Sequence, residues 1–89
     1  MTVELFGMAR ALAGRATIDL PLADRLTKSE LLAALARELP QLVGPVINEA
    51  REELLAPNLL LLDGQRAPMA GERFGASDRP CIVFLASGG

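Results

Sequence analysis

The sequence contains no histidine, tryptophan or tyrosine, and Cys81 is its one cysteine. Without histidine, the chain lacks the commonest general base and metal ligand, and Cys81 has no partner at a zinc-binding spacing. No glycine-rich loop of the phosphate-binding kinds is present either. We therefore expect no catalytic residue and no metal site in this chain, and no cofactor bound by the chain itself.

Cysteine, charge and apolar runs also limit where the protein works and what it binds. One cysteine excludes an internal disulfide, so a cytoplasmic location is expected. The N-terminus lacks a signal-peptide pattern, and the longest apolar runs, residues 59–62 and 81–86, are far shorter than the roughly 20 residues that span a bilayer. A net charge of -2 and only three aromatic residues, all phenylalanine, speak against nucleic acid as a partner. We expect neither membrane nor nucleic acid to bind.

The 89 residues suit one domain, and 51% of them are hydrophobic. So large a share in so short a chain leaves two interpretations open. Some apolar surface lies outside the core and serves for docking, or the excess is a tightly packed core rich in leucine and alanine.

The first half of the chain predicts a hairpin followed by a helix. Residues 2–6 and 16–20 alternate polar and apolar, which is typical of half-buried strands, and residues 7–15 between them are interpreted as an extended loop. Residues 27–30, Thr-Lys-Ser-Glu, have the form of a capping box that begins a helix. Leucines then recur at helical spacing as far as Pro40, which ends the helix.

The second half predicts strands separated by connections. Residues 41–57 fit either a short second helix or a loop. Residues 58–62 indicate a buried strand, followed by an Asp63-Gly64 turn and a weak strand at 65–67. Residues 68–80 indicate a surface connection with one turn near 72–74, and 81–85 a central strand. Together they predict a two-layer α+β domain over residues 1–86, with a flexible tail at 87–89.

The tail Ser87-Gly88-Gly89 is the segment that carries a chemical argument. Gly88 and Gly89 have no Cβ, so their backbone can enter a narrow cleft. A terminal carboxylate, ionised at neutral pH with a pKa of about 3.5, can attack ATP on a partner to give an acyl adenylate. A persulfide sulfur can then displace AMP and lead to a thiocarboxylate. Taken alone, however, two glycines favour a frayed end.

The chain as a whole resembles the ThiS/MoaD family of sulfur carriers. Residues 3–14 look like the opening of the molybdopterin synthase small subunit, and the segments 20–21, 26–35 and 39–40 are similar to that family's path into and out of its helix. Residues 87–89 match its terminus. The resemblance implies the ubiquitin-like β-grasp fold, a mixed sheet of four to five strands with one main helix across it.

The same resemblance implies a function and partners. Gly89 would be adenylated and thiocarboxylated, and Gly88 and Ser87 would enter the partner enzymes. Those partners would be an E1-like enzyme that uses ATP, a persulfide sulfur donor, and an acceptor such as the molybdopterin synthase large subunit. The chain itself would be a carrier and not an enzyme.

The pathway that receives the sulfur is less closely defined by the resemblance. Residues 74–80 and 84–86 depart from the family's usual pattern. Molybdopterin synthesis is predicted first, and thiamine, cysteine, tRNA thiolation and specialised metabolites are alternatives. Transfer of Gly89 to a lysine of another protein, as in ubiquitin-like modifiers, is a further alternative, and a plain binding module that uses its sheet face is another.

Overall fold

A computed structural model of the protein describes residues 1–22 and 25–85. These residues form a two-layer α+β arrangement, with a sheet on one side and a helix on the other. Short 3-10 helices at Pro40–Leu42 and Ala76–Asp78 belong to the connections. The main elements, in chain order, are β1 (Thr2–Leu5), α1 (Gly7–Ala13), β2 (Thr17–Asp19), α2 (Lys28–Glu38), β3 (Asn58–Leu61) and β4 (Cys81–Phe84).

The four strands form one mixed sheet in the order β2-β1-β4-β3. β1 is antiparallel to β2 and parallel to β4, and β4 is antiparallel to β3. Leu5 lies opposite Ile82, and Ile82 lies opposite Leu60, so one face of the sheet carries a row of core side chains across three strands. The predicted hairpin and the predicted central position of the last strand are both confirmed.

Helix α2 begins where the sequence predicts. Thr27 Oγ1 accepts a hydrogen bond from the Glu30 N–H at 3.3 Å, and the Thr27 N–H donates to Glu30 Oε1 at 2.8 Å, which completes the capping box. Leu31, Leu32 and Leu35 are fully buried in the same core as the sheet. The helix ends just before Pro40, as expected from the missing N–H of proline.

The connection between the first two strands is a helix, and the predicted extended loop is wrong. α1 packs Ala9 into the core, where it is fully buried. Gly14 ends the helix in the left-handed conformation, with φ 71°, and its N–H donates to Arg10 O at 2.9 Å. The run between the two glycines consists of good helix formers, so the glycines mark the helix boundaries and not a loop.

Residues 41–57 contain no α-helix, so of the two interpretations left open by the sequence the loop is correct. After the 3-10 turn, the chain makes only isolated bridges, from Val43 to Ile47 and from Ile47 to Leu54. Gly44, with φ 105°, leaves the helical region before Pro45. Val46 and Ile47 are nevertheless fully buried, so this loop extends the core.

The region between β3 and β4 departs from the prediction in two places. Asp63 and Gly64 form the expected turn, with φ of 55° and 67°, but the weak strand at 65–67 reduces to a single bridge from Leu62 to Arg66. The sheet therefore has four strands within the described residues. Phe74 is buried and bridges Leu26, so residues 68–80 are not purely a surface connection.

None of the helices in the described part of the chain has the length and apolarity needed to cross a membrane.

Candidate functional site

The residues that the sequence predicts as the site lie outside the described residues. These are Gly89, the predicted attachment point, and Gly88 and Ser87, predicted to enter partners. The domain boundary predicted after residue 86 falls there too. The structure describes the chain as far as Leu85, which residues 86–89 follow in the sequence.

Strand β4 is held on both sides up to its last residues. The Phe6 N–H donates to Ile82 O at 2.9 Å on the β1 side, and the Leu85 N–H donates to Pro57 O at 3.0 Å on the β3 side. We call Phe84 and Leu85 the tail root. Because the root is tied to a central strand, its position is fixed by the most extensively paired part of the sheet.

Gly7 brings α1 directly against the tail root. Its φ is 62°, and a Cβ built on it would lie 2.4 Å from Phe84 Cβ. Carbon atoms in contact normally stay about 3.5–4.0 Å apart, so no larger residue fits without movement of α1 or β4. Glycine at this position therefore sets how closely the helix approaches Phe84.

An uncovered apolar patch lies beside the tail root. Successive side chains of a strand point to opposite faces, so Phe6, Leu59, Val83 and Leu85 project away from the face that carries Leu5, Leu60 and Ile82. Leu59 lies directly opposite Val83, and the register of β1 with β4 places Phe6 beside Val83 on the other side. The exposed fractions are 42% for Phe6, 36% for Leu59 and 53% for Leu85, and Val83 is half-buried. These four residues are the open-face patch.

The rest of the same face is polar. Thr2, Glu4, Thr17 and Asp19 cover it on β1 and β2, and Thr2 Oγ1 donates to Asp19 Oδ1 at 3.0 Å. On this face of the sheet, the apolar surface is therefore confined to β3, β4 and the end of β1. An apolar patch with a polar border is typical of a surface that binds another protein. Of the two interpretations of the high hydrophobic content, the structure favours the one with apolar surface outside the core.

The environment of Cys81 disfavours a role as a nucleophile. It is buried beside a shallow hollow of about 220 Å³ lined by Glu4, Asp63 and Arg79. Burial, and secondarily the negative charge of Glu4, raises the pKa of the Cys81 thiol, which disfavours the reactive thiolate. A buried thiol of this kind acts as a small apolar side chain of the strand. Within residues 1–22 and 25–85, no group of three acidic, cysteine or histidine side chains is placed to hold a metal ion.

Sequence reasoning did not single out the open-face patch, although the signal is present. Leu59, Leu61 and Val83 alternate with core residues but are themselves apolar, so an unbroken apolar run predicts burial on both faces. β3 is in fact an edge strand, and on the second face of β3 and β4 Leu59 and Leu85 are exposed and Val83 is only half-buried.

Comparison with known proteins places the fold. A scan against protein-family models and a search of curated proteins both find no match. Two solved structures match, both of small archaeal modifier protein 1 (SAMP1) from Haloferax volcanii. One is 28% identical with a TM-score of 0.79, covering 100% of this chain and 98% of that chain. The other is 26% identical with a TM-score of 0.77, covering 97% of each. The chain therefore has the ubiquitin-like β-grasp fold.

Proposed function

We propose that this chain is a carrier that works through the carboxylate of Gly89. An E1-like partner adenylates that carboxylate with ATP, a persulfide donor converts it to a thiocarboxylate, and an acceptor enzyme takes the sulfur. The observation that carries the proposal is the whole-length match to SAMP1, a protein named a modifier, in a chain whose central strand leads into Ser87-Gly88-Gly89. Molybdopterin synthesis is the pathway that we propose first.

The chemistry requires three displacements, the first at the α-phosphorus of ATP, the second at the acyl carbon of Gly89 and the third at sulfur. The Gly89 carboxylate attacks the α-phosphate of ATP and releases pyrophosphate. The terminal sulfur of the donor persulfide then attacks the acyl carbon, and AMP leaves with the bonding electrons. A second thiol of the donor reduces the resulting acyl disulfide, which leaves the thiocarboxylate on Gly89 and a disulfide on the donor.

Partners supply the catalytic groups in this scheme. The sequence has no histidine to act as a base, and the thiol of Cys81 is buried with a raised pKa. The chain contributes an acyl group and a surface that delivers it. We accordingly propose a non-catalytic carrier, which binds no cofactor of its own.

The open-face patch is the surface through which we propose that the activating enzyme recognises the chain. Leu85 belongs both to the patch and to the tail root, so an enzyme that covers Phe6, Val83 and Leu59 has the start of the tail at the edge of the same interface. Apolar and aromatic side chains at the centre of an interface carry most of its binding energy. Binding through the patch therefore brings Gly89 near the reacting phosphate.

A second candidate function is protein modification, which the match to SAMP1 favours because that protein is named a modifier. It uses the same acyl adenylate, but a lysine of another protein attacks the acyl carbon and forms an isopeptide bond. The two functions differ in the fate of Gly89 and not in its activation.

The intact mass of the protein purified from its own cells distinguishes the two functions. A mass that exceeds the unmodified mass by the difference between sulfur and oxygen supports the carrier, and isopeptide-linked conjugates through Gly89 support the modifier. If a form of the protein with additional residues after Gly89 is active, both the carrier function and the modifier function are contradicted.

Variants in a reconstituted reaction test the mechanism directly. Deletion of Gly89, or addition of one alanine after it, is expected to abolish ATP-dependent adenylation while the melting temperature stays unchanged. Met69→Ala is the matched control, since Met69 is highly exposed and lies outside the open-face patch. If the Gly89 deletion variant still accepts sulfur, the carrier mechanism is refuted.

A further inference from the structure

The chain is almost free of primary amines. Lys28 is its only lysine, and the other eight basic residues are arginines. The guanidinium group of arginine stays protonated in proteins and does not serve as an acyl acceptor, whereas a lysine amine does once it loses its proton. An activated acyl group therefore finds one side-chain amine on this protein.

The side chain of Lys28 is partly exposed and forms an ion pair. It is the first residue of α2, and its side chain is 34% exposed. Its Nζ lies 2.9 Å from Glu53 Oε2, in an ion pair that joins the helix to the loop before β3. A cleft of about 360 Å³ beside the pair is lined by Lys28, Glu52, Glu53 and Met69 among others. The amine is thus reachable from solvent when it leaves Glu53.

The amino group of Met1 is placed differently. It donates a hydrogen bond to Leu20 O at 2.7 Å and lies 3.7 Å from Asp19 Oδ1. The Met1 side chain is 1% exposed, and the Leu20 N–H donates back to Met1 O at 2.8 Å. The end of the chain is therefore anchored in the sheet, and attack by its amine would require this pairing to break.

We propose that Lys28 is the single site at which this protein accepts the activated Gly89 of a second copy, and that the ion pair with Glu53 restrains this self-linkage. The inference rests on the proposed function, because it needs the Gly89 adenylate as acyl donor. Lys28 Nζ first loses a proton to solvent, and its electron pair then attacks the acyl carbon. A C–N bond forms, the C–O bond to AMP breaks, AMP leaves with that electron pair, and the new amide loses one proton.

A single lysine in an ion pair limits how much of a carrier is lost to self-linkage. A protein that carries an activated acyl group at high concentration risks consuming itself as an acceptor, and each lysine adds to that risk. A chain with one lysine, paired with a carboxylate, keeps the acyl group available for the sulfur donor or for other proteins. Release of Lys28 from Glu53 is expected to raise self-linkage about two- to fivefold, the range set by the strength of an exposed ion pair.

The test compares three full-length variants with the parent protein. Each is incubated with its activating enzyme, ATP and Mg²⁺ but no sulfur donor, and linked products are mapped by peptide mass spectrometry. Glu53→Gln removes the ion pair. Glu52→Gln is the matched control, since it changes the same charge in the same cleft at a residue that forms none of the ion pairs found among the described residues. Lys28→Arg removes the acceptor amine and keeps the positive charge.

The inference predicts a Gly89–Lys28 isopeptide between two copies, increased about two- to fivefold by Glu53→Gln, unchanged by Glu52→Gln and absent in Lys28→Arg. It is overturned if linkage occurs at Met1, or if Glu52→Gln raises linkage as much as Glu53→Gln does. A parallel reaction with hydroxylamine, in which the Gly89 adenylate gives a hydroxamate, distinguishes failure of this inference from failure of the proposed function. A Gly89 hydroxamate without any Lys28 linkage refutes only this inference, and a missing hydroxamate refutes the proposed function and the inference with it.

Discussion

Substitution of Gly7 by alanine tests how the tail root is held. A left-handed φ such as the 62° of Gly7 costs a residue with a side chain about 1–2 kcal/mol, partly offset by about 0.4–1 kcal/mol because alanine restricts the unfolded chain. The new Cβ would also lie 2.4 Å from Phe84 Cβ, which cannot rotate away because it is fixed to the strand backbone. Overpacking of this kind adds about 1–3 kcal/mol, so we expect Gly7→Ala to lower the free energy of unfolding by about 1–5 kcal/mol.

Gly14→Ala is the matched control, because it has the same backbone strain without the clash. Gly14 ends the same helix with φ 71°, and a Cβ built there meets no atom within 4 Å. Its cost should be about 1 kcal/mol. Urea unfolding followed by circular dichroism gives both free energies. Equal losses for the two variants would refute the argument that contact between α1 and Phe84 restricts position 7.

The other predictions concern the patch, acid stability and a buried amide. Leu59→Ser on the open-face patch should lower kcat/KM for adenylation about tenfold, while Met69→Ser leaves it unchanged; equal effects would refute a role of the patch. The bidentate contact with Arg66 lowers the pKa of Glu72 to about 2, so its stabilisation is complete above about pH 4.5 and is lost as the pH falls toward 2. Glu72→Gln should flatten that part of the stability curve in acid titrations of the unfolding free energy. Asn58 is buried and its Oδ1 has no hydrogen-bond partner, so Asn58→Asp should lower the free energy of unfolding by about 3 kcal/mol or more at pH 7. The variant should regain that stability below about pH 4, where the new carboxyl group is protonated. An acid dependence of unfolding equal to that of the parent protein would contradict this prediction.

Local signals made part of the fold predictable from sequence. The capping box at Thr27 and Glu30 specifies a helix start through hydrogen bonds within four residues, and the leucines that follow share one face. The apolar character of residues 81–85 likewise predicts a central strand, and β4 does lie between β1 and β3, although one of its faces is only partly covered. Each of these features depends on residues close together in sequence.

The failures depend on contacts between distant segments. Gly7 and Gly14 look alike in sequence, but one is required by Phe84 and the other ends a helix. Val46, Ile47, Ala50 and Leu54 have the spacing of a helix. Val46 and Ile47 are nevertheless buried as part of a loop that packs against the core. The open-face patch was missed for the same reason: whether an apolar strand is covered on both faces depends on the whole topology.

The position of the patch beside Leu85 limits where an activating enzyme can place its reacting phosphate in the proposed function. Leu85 is fixed by its hydrogen bond to Pro57, and the four residues after it span at most about 14 Å when extended. An enzyme bound on the patch therefore has to place its reacting phosphate within that distance of Leu85, and a partner bound elsewhere on the molecule would face a longer path. Substitutions on the patch should consequently change KM for this protein, since they weaken binding, whereas changes at Gly89 should remove turnover itself. In the proposed function, Phe6, Leu59 and Val83 would therefore determine how tightly the activating enzyme binds, and Gly89 would determine whether the acyl group reacts.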